Sequence, residues 1–340
     1  MLLFNPQGND NVDQRQIWEG STTNLMNLNN VKYTWALKLY LQMRENFWVP
    51  DKVDMTSDIN TYSLLTEDEA RAYQGTLSYL IFLDSLQTCN LSYFKHSITA
   101  PEIRLCLAEQ ESQEALHSAS YQVVIETNVP SEDRNALYDF WRSDRQLFNR
   151  CEYITALYQE SIDDPLNKEK YFISLYADYL LESIYFYMGF NLFHALAARH
   201  LMGSTNDMIT YIKRDEYTHV ILYQNLVKEA MKIFPYSQDQ LHELMHTVIV
   251  QERNWMSHIT GDQVLGINSK ATTDYLNYLG NLRLKAIGLE PTLPEVKKNP
   301  YSMYDRSNET SSDANTKTNF FEGTVTSYNV SSAVPGWDLI

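Results

Sequence analysis

Cysteine is scarce in this chain of 340 residues: Cys89, Cys106 and Cys151 form an odd, scattered set without Cys-x-x-Cys spacing. Neither a disulfide framework nor a zinc knuckle can organise the fold, and a reduced, cytoplasmic setting is expected. Basic residues are also few, 27 against 43 acids, which gives a formal net charge of −16. Broad electrostatic binding to nucleic acid or to an anionic membrane needs basic surface, so both are disfavoured. No uninterrupted apolar run reaches about 18 residues, and the opening MLLFNPQGND has neither a charged n-region nor a long apolar h-region. A soluble protein that is not exported is the expectation. A glycine-rich phosphate loop is missing as well. Strand-like alternation is sparse, so a 3.6-residue period dominates and the predicted class is all-α.

What is present is apolar and aromatic: 44% hydrophobic residues, 13% aromatic and 24 tyrosines, ample for a large core. Residues 1–30 read as a polar N-terminal arm with little regular structure. Helices are predicted over about 33–47, 66–95, 101–127, 132–160, 168–200, 206–234, 237–261 and 272–287, which makes 31–290 one helical domain. Several ends carry signals: Thr66 with Glu69 as a capping box, Pro101 in a first turn, and Ser131 and Ser237 as N-caps. Gly203 is expected to stop the fifth helix. From Pro291 the composition turns to Asn, Ser, Thr, Asp and Lys, so 291–340 is expected to be a flexible C-terminal tail. Its end, Val334-Pro-Gly-Trp-Asp-Leu-Ile340, regains large apolar groups and suggests a docking peptide.

Two helical words carry the chemistry, Glu114-Ala-Leu-His117 and Glu216-Tyr-Thr-His219. At i and i+3 a carboxylate and an imidazole share a helix face, and two such pairs with further carboxylates mark a two-metal site in a helix bundle. Two more acids, Asp84 in Tyr79-Leu-Ile-Phe-Leu-Asp-Ser-Leu and Glu182 in Tyr179-Leu-Leu-Glu-Ser-Ile-Tyr-Phe, interrupt apolar stretches. Burying a lone carboxylate costs roughly several kcal/mol unless it is paired or coordinated. Any one of these words alone is more often a solvated face or a buried hydrogen bond, but six residues on four helices converge on a dinuclear site. Tyr121, four residues after His117, falls one turn further along the same face. Asp215 is placed to orient a ligating imidazole. Glu109, Glu111, His194 and His200 have no matching partner pattern and are read as surface or supporting groups.

Leu83-Asp84-Ser85, Glu114 to Tyr121, Leu181 to Tyr187 and Arg214 to His219 stand in an order that resembles the radical-generating small subunit of class I ribonucleotide reductase, over nearly the whole chain. The resemblance implies a ferritin-like bundle with the dinuclear site in its four-helix core. It makes Asp84, Glu114 and His117 ligands of one metal and Glu182, Glu216 and His219 ligands of the other, with carboxylates bridging. Tyr121 becomes the radical-bearing tyrosine, with Phe186, Phe190 and Ile212 as the apolar pocket around it. Phe47-Trp48-Val49-Pro50 makes Trp48 a relay joined through Asp215 to His117. Tyr328 in the tail becomes the residue that passes the oxidising equivalent to a catalytic large subunit, on which the tail docks. A homodimer and a dimetal centre are implied, Fe2 first with Mn2 and Mn/Fe as alternatives. Whether a flavodoxin-like activator serves it stays open.

The residues leave other readings standing. A ferritin-like di-iron oxidase or oxygenase, or a ligand-binding relative, shares the ligand set without needing Trp48, Tyr121 and a tail tyrosine together. An iron-storage protein has a similar site, but is typically shorter and assembles into a shell.

Overall fold

In the computed structural model the described residues are 3–307, and they form helices without strands. In chain order these are α1 (Thr34–Glu45), α2 (Thr56–Thr61), α3 (Glu67–Ser97), α4 (Pro101–Asn128), α5 (Arg134–Ser143), α6 (Arg145–Asp163) and α7 (Lys168–Leu180). A π-helical turn, Leu181–Tyr185, joins α7 to α8 (Phe186–Ala197). The chain continues with α9 (Gly203–Ile233), α10 (Gln238–Thr260), α11 (Ser269–Ala286) and α12 (Ser302–Ser307). The all-α expectation holds throughout this range.

The central layer consists of α3, α4, α9 and the continuous α7–α8 unit, which pack on one another. Local sequence explains their ends. Thr66 Oγ1 accepts the Glu69 amide while the Glu69 carboxylate accepts the Thr66 amide, so the predicted capping box starts α3. Pro101 opens α4, where its missing N–H is no loss. Every residue of α8 from Phe186 to Leu196 is buried, as a helix apolar on all sides requires. Ser237 caps α10, and Gly261 at φ +55° ends it.

Three expectations about helix ends need correction. The helix predicted over 132–160 is two, because Asp144 takes an extended conformation and its carboxylate accepts the Gln146 and Leu147 amides. Asp is a strong N-cap, and this local bond outcompetes helix continuation. Ser131 lies in the turn before α5 and makes no cap bond. Gly203 does not stop a helix but begins α9. The reversal is made by His200 and Met202 in the left-handed region, at φ +62° and +53°. That strain is held in place by Asp58 of α2, whose buried carboxylate accepts the Ser204 and Thr205 amides at 2.8 and 2.7 Å.

The arm and the start of the tail are also packed more firmly than their composition suggests. Ile17 and Trp18 are buried, Tyr171 donates to the Ile17 carbonyl at 2.9 Å, and Thr99 Oγ1 bonds the Gln14 and Glu19 carbonyls. A flexible tail was expected from Pro291, yet Tyr301 and Tyr304 are buried, bonded to Thr272 and to the Gly266 carbonyl. Tyr328 and the 334–340 peptide lie outside the described residues. Among those described, no helix is long and apolar enough to cross a membrane.

Candidate metal centre

Asp84 comes from α3, Glu114 and His117 from α4, Glu182 from the π-helical turn, and Glu216 and His219 from α9. All six are fully buried. They fall into two groups whose ligand atoms lie within 4.8 Å of one another: Asp84, Glu114, His117 and Glu216, and Glu114, Glu182, Glu216 and His219. Glu114 and Glu216 belong to both, which is the arrangement bridging carboxylates need. His117 Nδ1 lies 3.0 Å from Asp84 Oδ1 and 3.0 Å from Glu216 Oε1. His219 Nδ1 lies 2.9 Å from Glu216 Oε2 and 3.2 Å from Glu114 Oε1. The i, i+3 spacing thus turns the inner nitrogen of each imidazole toward the shared carboxylates.

Four carboxylates in a fully buried site create an electrostatic problem that the protein alone does not solve. Burial pushes Asp84 and Glu182 well above the usual carboxylate range, and the neighbouring carboxylates push Glu182 further. Burial also opposes charge on the imidazoles, yet the facing acids raise His117 and His219 well above the ordinary histidine value. For Glu216 burial is outweighed by those two imidazoles, and its pKa falls. Oxygens of Asp84, Glu114, Glu182 and Glu216 point into this space without a hydrogen-bond partner. Such orphans are costly unless a cation accepts them. Two divalent ions would balance the four carboxylates with both histidines neutral. A donor set of oxygens with one imidazole per metal suits iron or manganese. The residues therefore fit a dinuclear metal site.

The outer nitrogens are held too. His117 Nε2 lies 3.3 Å from Asp215 Oδ2, which also accepts the Trp48 indole N–H at 2.7 Å. The structure thus brings Trp48, Asp215 and His117 into one chain. His219 Nε2 donates to Gln113 Oε1 at 2.9 Å, and Gln113 is fixed in turn through its bond to the Met43 carbonyl. These outer acceptors favour the tautomer that leaves each Nδ1 free to coordinate. Gln110 donates to Glu182 at 2.7 Å, while Gln87 donates to both Glu182 and Asp178. The three glutamines and Asp178 were missed by sequence reasoning. Neutral amides on a helix carry no pattern, whereas Asp178, a lone acid in an apolar stretch, gave the same signal as Glu182.

Tyr121 is buried one turn beyond His117, and its hydroxyl makes no hydrogen bond. It is near enough to the cluster that burial first, then the charges of Asp84, Glu216 and Glu114, hold its pKa well above the usual phenol range. Phe186, Phe190 and Ile212 are all fully buried, and the two phenylalanine rings stack at 5.9 Å. His194 is not a surface group: it is buried and bonded to Asn206 at 2.6 Å.

The sequence profile of the family described as ribonucleotide reductase, small chain, matches residues 25–300. The chain belongs to this family. The ribonucleoside-diphosphate reductase subunit beta of Treponema pallidum is 40% identical over 338 residues, covering 98% of this chain and 95% of that protein. Among solved structures, the ribonucleotide reductase R2 subunit from Clostridium botulinum superposes with a TM-score of 0.86 at 35% identity, covering 90% of this chain and 97% of that one. The dimanganese(II) NrdF of Streptococcus sanguinis has a TM-score of 0.71 over 82% of this chain and 97% of that one, and at 19% identity it speaks for the fold alone. As a ribonucleotide reductase small chain, the protein is part of an oxidoreductase. The storage-protein and oxygenase readings are set aside.

Proposed function

We propose that this small chain generates and stores a tyrosyl radical on Tyr121 and delivers its oxidising equivalent to a catalytic large subunit that reduces ribonucleotides. Asp84, Glu114 and His117 would hold one metal, and Glu182, Glu216 and His219 the other, with Glu114 and Glu216 shared. When bound, the dimetal centre supplies the oxidising power, drawn from oxygen, that removes one electron from Tyr121. The observation that carries this reading is the unbonded Tyr121 hydroxyl beside a cluster of four buried carboxylates and two imidazoles.

The chain's own residues then have defined tasks. Asp84 stands near the phenol as acceptor of its proton. Burial of Phe186, Phe190 and Ile212 supports their role as a dry wall that keeps water and reductants from the radical. Delivery runs through His117, Asp215 and Trp48, supported by the hydrogen-bonded chain between them, and on to Tyr328 in the tail. The tail docks on the large subunit, and the small chain acts as a homodimer. Two irons are the proposed occupants, since iron(II) outranks manganese(II) in affinity for a given nitrogen and oxygen site.

Tyr121→Phe is expected to abolish the sharp organic radical signal in electron paramagnetic resonance while the metal content stays at the wild-type level. A persisting signal sinks the assignment, and stoichiometric manganese in protein from the native host overturns the iron reading. The same radical assay with and without a flavodoxin-like protein tests for an activator. Truncation before Tyr328 should leave the radical intact and end turnover with the large subunit; undiminished turnover refutes the tail's role.

A further inference from the structure

The outer side of Trp48 holds a residue that the path above does not use. Trp48 itself is buried, 7% exposed. Its ring is nearly parallel to two others, His117 at 6.4 Å and 27° on the metal side, and Tyr211 at 5.2 Å and 22°. Tyr211 and Asp215 are four residues apart on α9, so one helix face presents both the ring that stacks on Trp48 and the carboxylate that accepts its indole N–H. Tyr211 is 39% exposed. Of the exposed tyrosines among the described residues, Tyr93, Tyr138, Tyr211 and Tyr236, it is the one stacked on the tryptophan of the proposed path.

We propose that Tyr211 is a redox-active station of radical transfer, lying between Trp48 and the large-subunit side. The inference rests on the reading of Tyr121 and Trp48 given above. An electron passes from Tyr211 to oxidised Trp48, which returns to its closed-shell form still bonded to Asp215. The Arg214 guanidinium over the Tyr211 ring, 5.4 Å from its centroid, disfavours a ring cation. Oxidation is therefore completed by loss of the phenolic proton to water, leaving a neutral tyrosyl radical. Tyr211 is restored when it takes one electron and one proton from the next phenol, Tyr328, which becomes the radical.

The test uses the metal-loaded small chain with its large subunit, substrate and effector, and reads turnover per Tyr121 radical. Tyr211→Phe keeps the stacked ring but removes the oxidisable phenol, and should lower that ratio by at least about tenfold. Tyr211→Trp, oxidisable again, should recover most of it. A ratio for Tyr211→Phe within about twofold of wild type overturns the proposal. With 3-aminotyrosine at position 211, an aminotyrosyl signal should grow as the Tyr121 signal decays, and should vanish when Trp48→Phe is added. Absence of that signal in the single variant also overturns it. Wild-type turnover by Trp48→Phe alone would instead refute the underlying path, which separates the two failures.

Discussion

At the scale of the residue, what distinguishes the six cluster side chains is how their second nitrogens and oxygens are held. Gln113 plays for His219 the part that Asp215 plays for His117, accepting the outer N–H. Losing such a partner typically costs about 10- to 100-fold in metal affinity, because ring orientation and tautomer are no longer fixed. Gln113→Leu should show a loss of that size in competition with a chelator, whereas Gln113→Glu, which keeps an acceptor, should lose less. Equal affinities for wild type and leucine variant would remove Gln113 from the supporting set. The acids and histidines were legible because ionisable groups stand out against apolar helix. Gln87, Gln110 and Gln113 were not, since an amide is at home on any helix. Asp178 shows the limit of the criterion: it has the same apolar setting as Glu182, but its bonds go to Gln87 and Tyr158.

The helices were legible where a propensity, a cap and a breaker agreed, and misread where a tertiary contact decided. The start of α3 and the end of α10 follow directly from Thr66, Glu69 and Gly261. The break at Asp144 does not, because an aspartate in a polar stretch becomes a cap only once its carboxylate has turned back on the chain. That carboxylate also lies 2.7 Å from His258 Nε2 on α10, so it joins two helices. Asp144→Ala should cost about 1–2 kcal/mol in denaturant unfolding, through the lost cap, while Asp144→Asn should lose much less. The π-helical turn was equally hidden. It joins α7 to α8, and sites of this kind often coincide with function, as it does here at Glu182.

Over the whole molecule, burial of charge outside the metal centre sets a dependence on pH. Glu252 of α10 is paired with Arg150 inside an aromatic cage of Tyr79, Tyr185 and Trp255. Burial raises its pKa from 4.5 to about 7, against the pull of the arginine. Between those values the folded chain holds a proton that the unfolded chain has released, so stability falls as pH rises through that window and levels off above it. Glu252→Gln does not titrate. From pH 4 to pH 8 the wild type should therefore lose up to about 3 kcal/mol relative to the variant, and parallel stability curves for the two would refute the shift. The N-terminal arm, finally, bears on the order of folding. Its bonds reach Thr99, 85 residues on from Gln14, and Tyr171, 154 residues on from Ile17. Contacts of such long sequence separation carry a large loop-closure cost and are favourable only after the helices they touch have assembled. The arm is thereby a latch that closes after the bundle has formed, although it is synthesised before the helices it closes on.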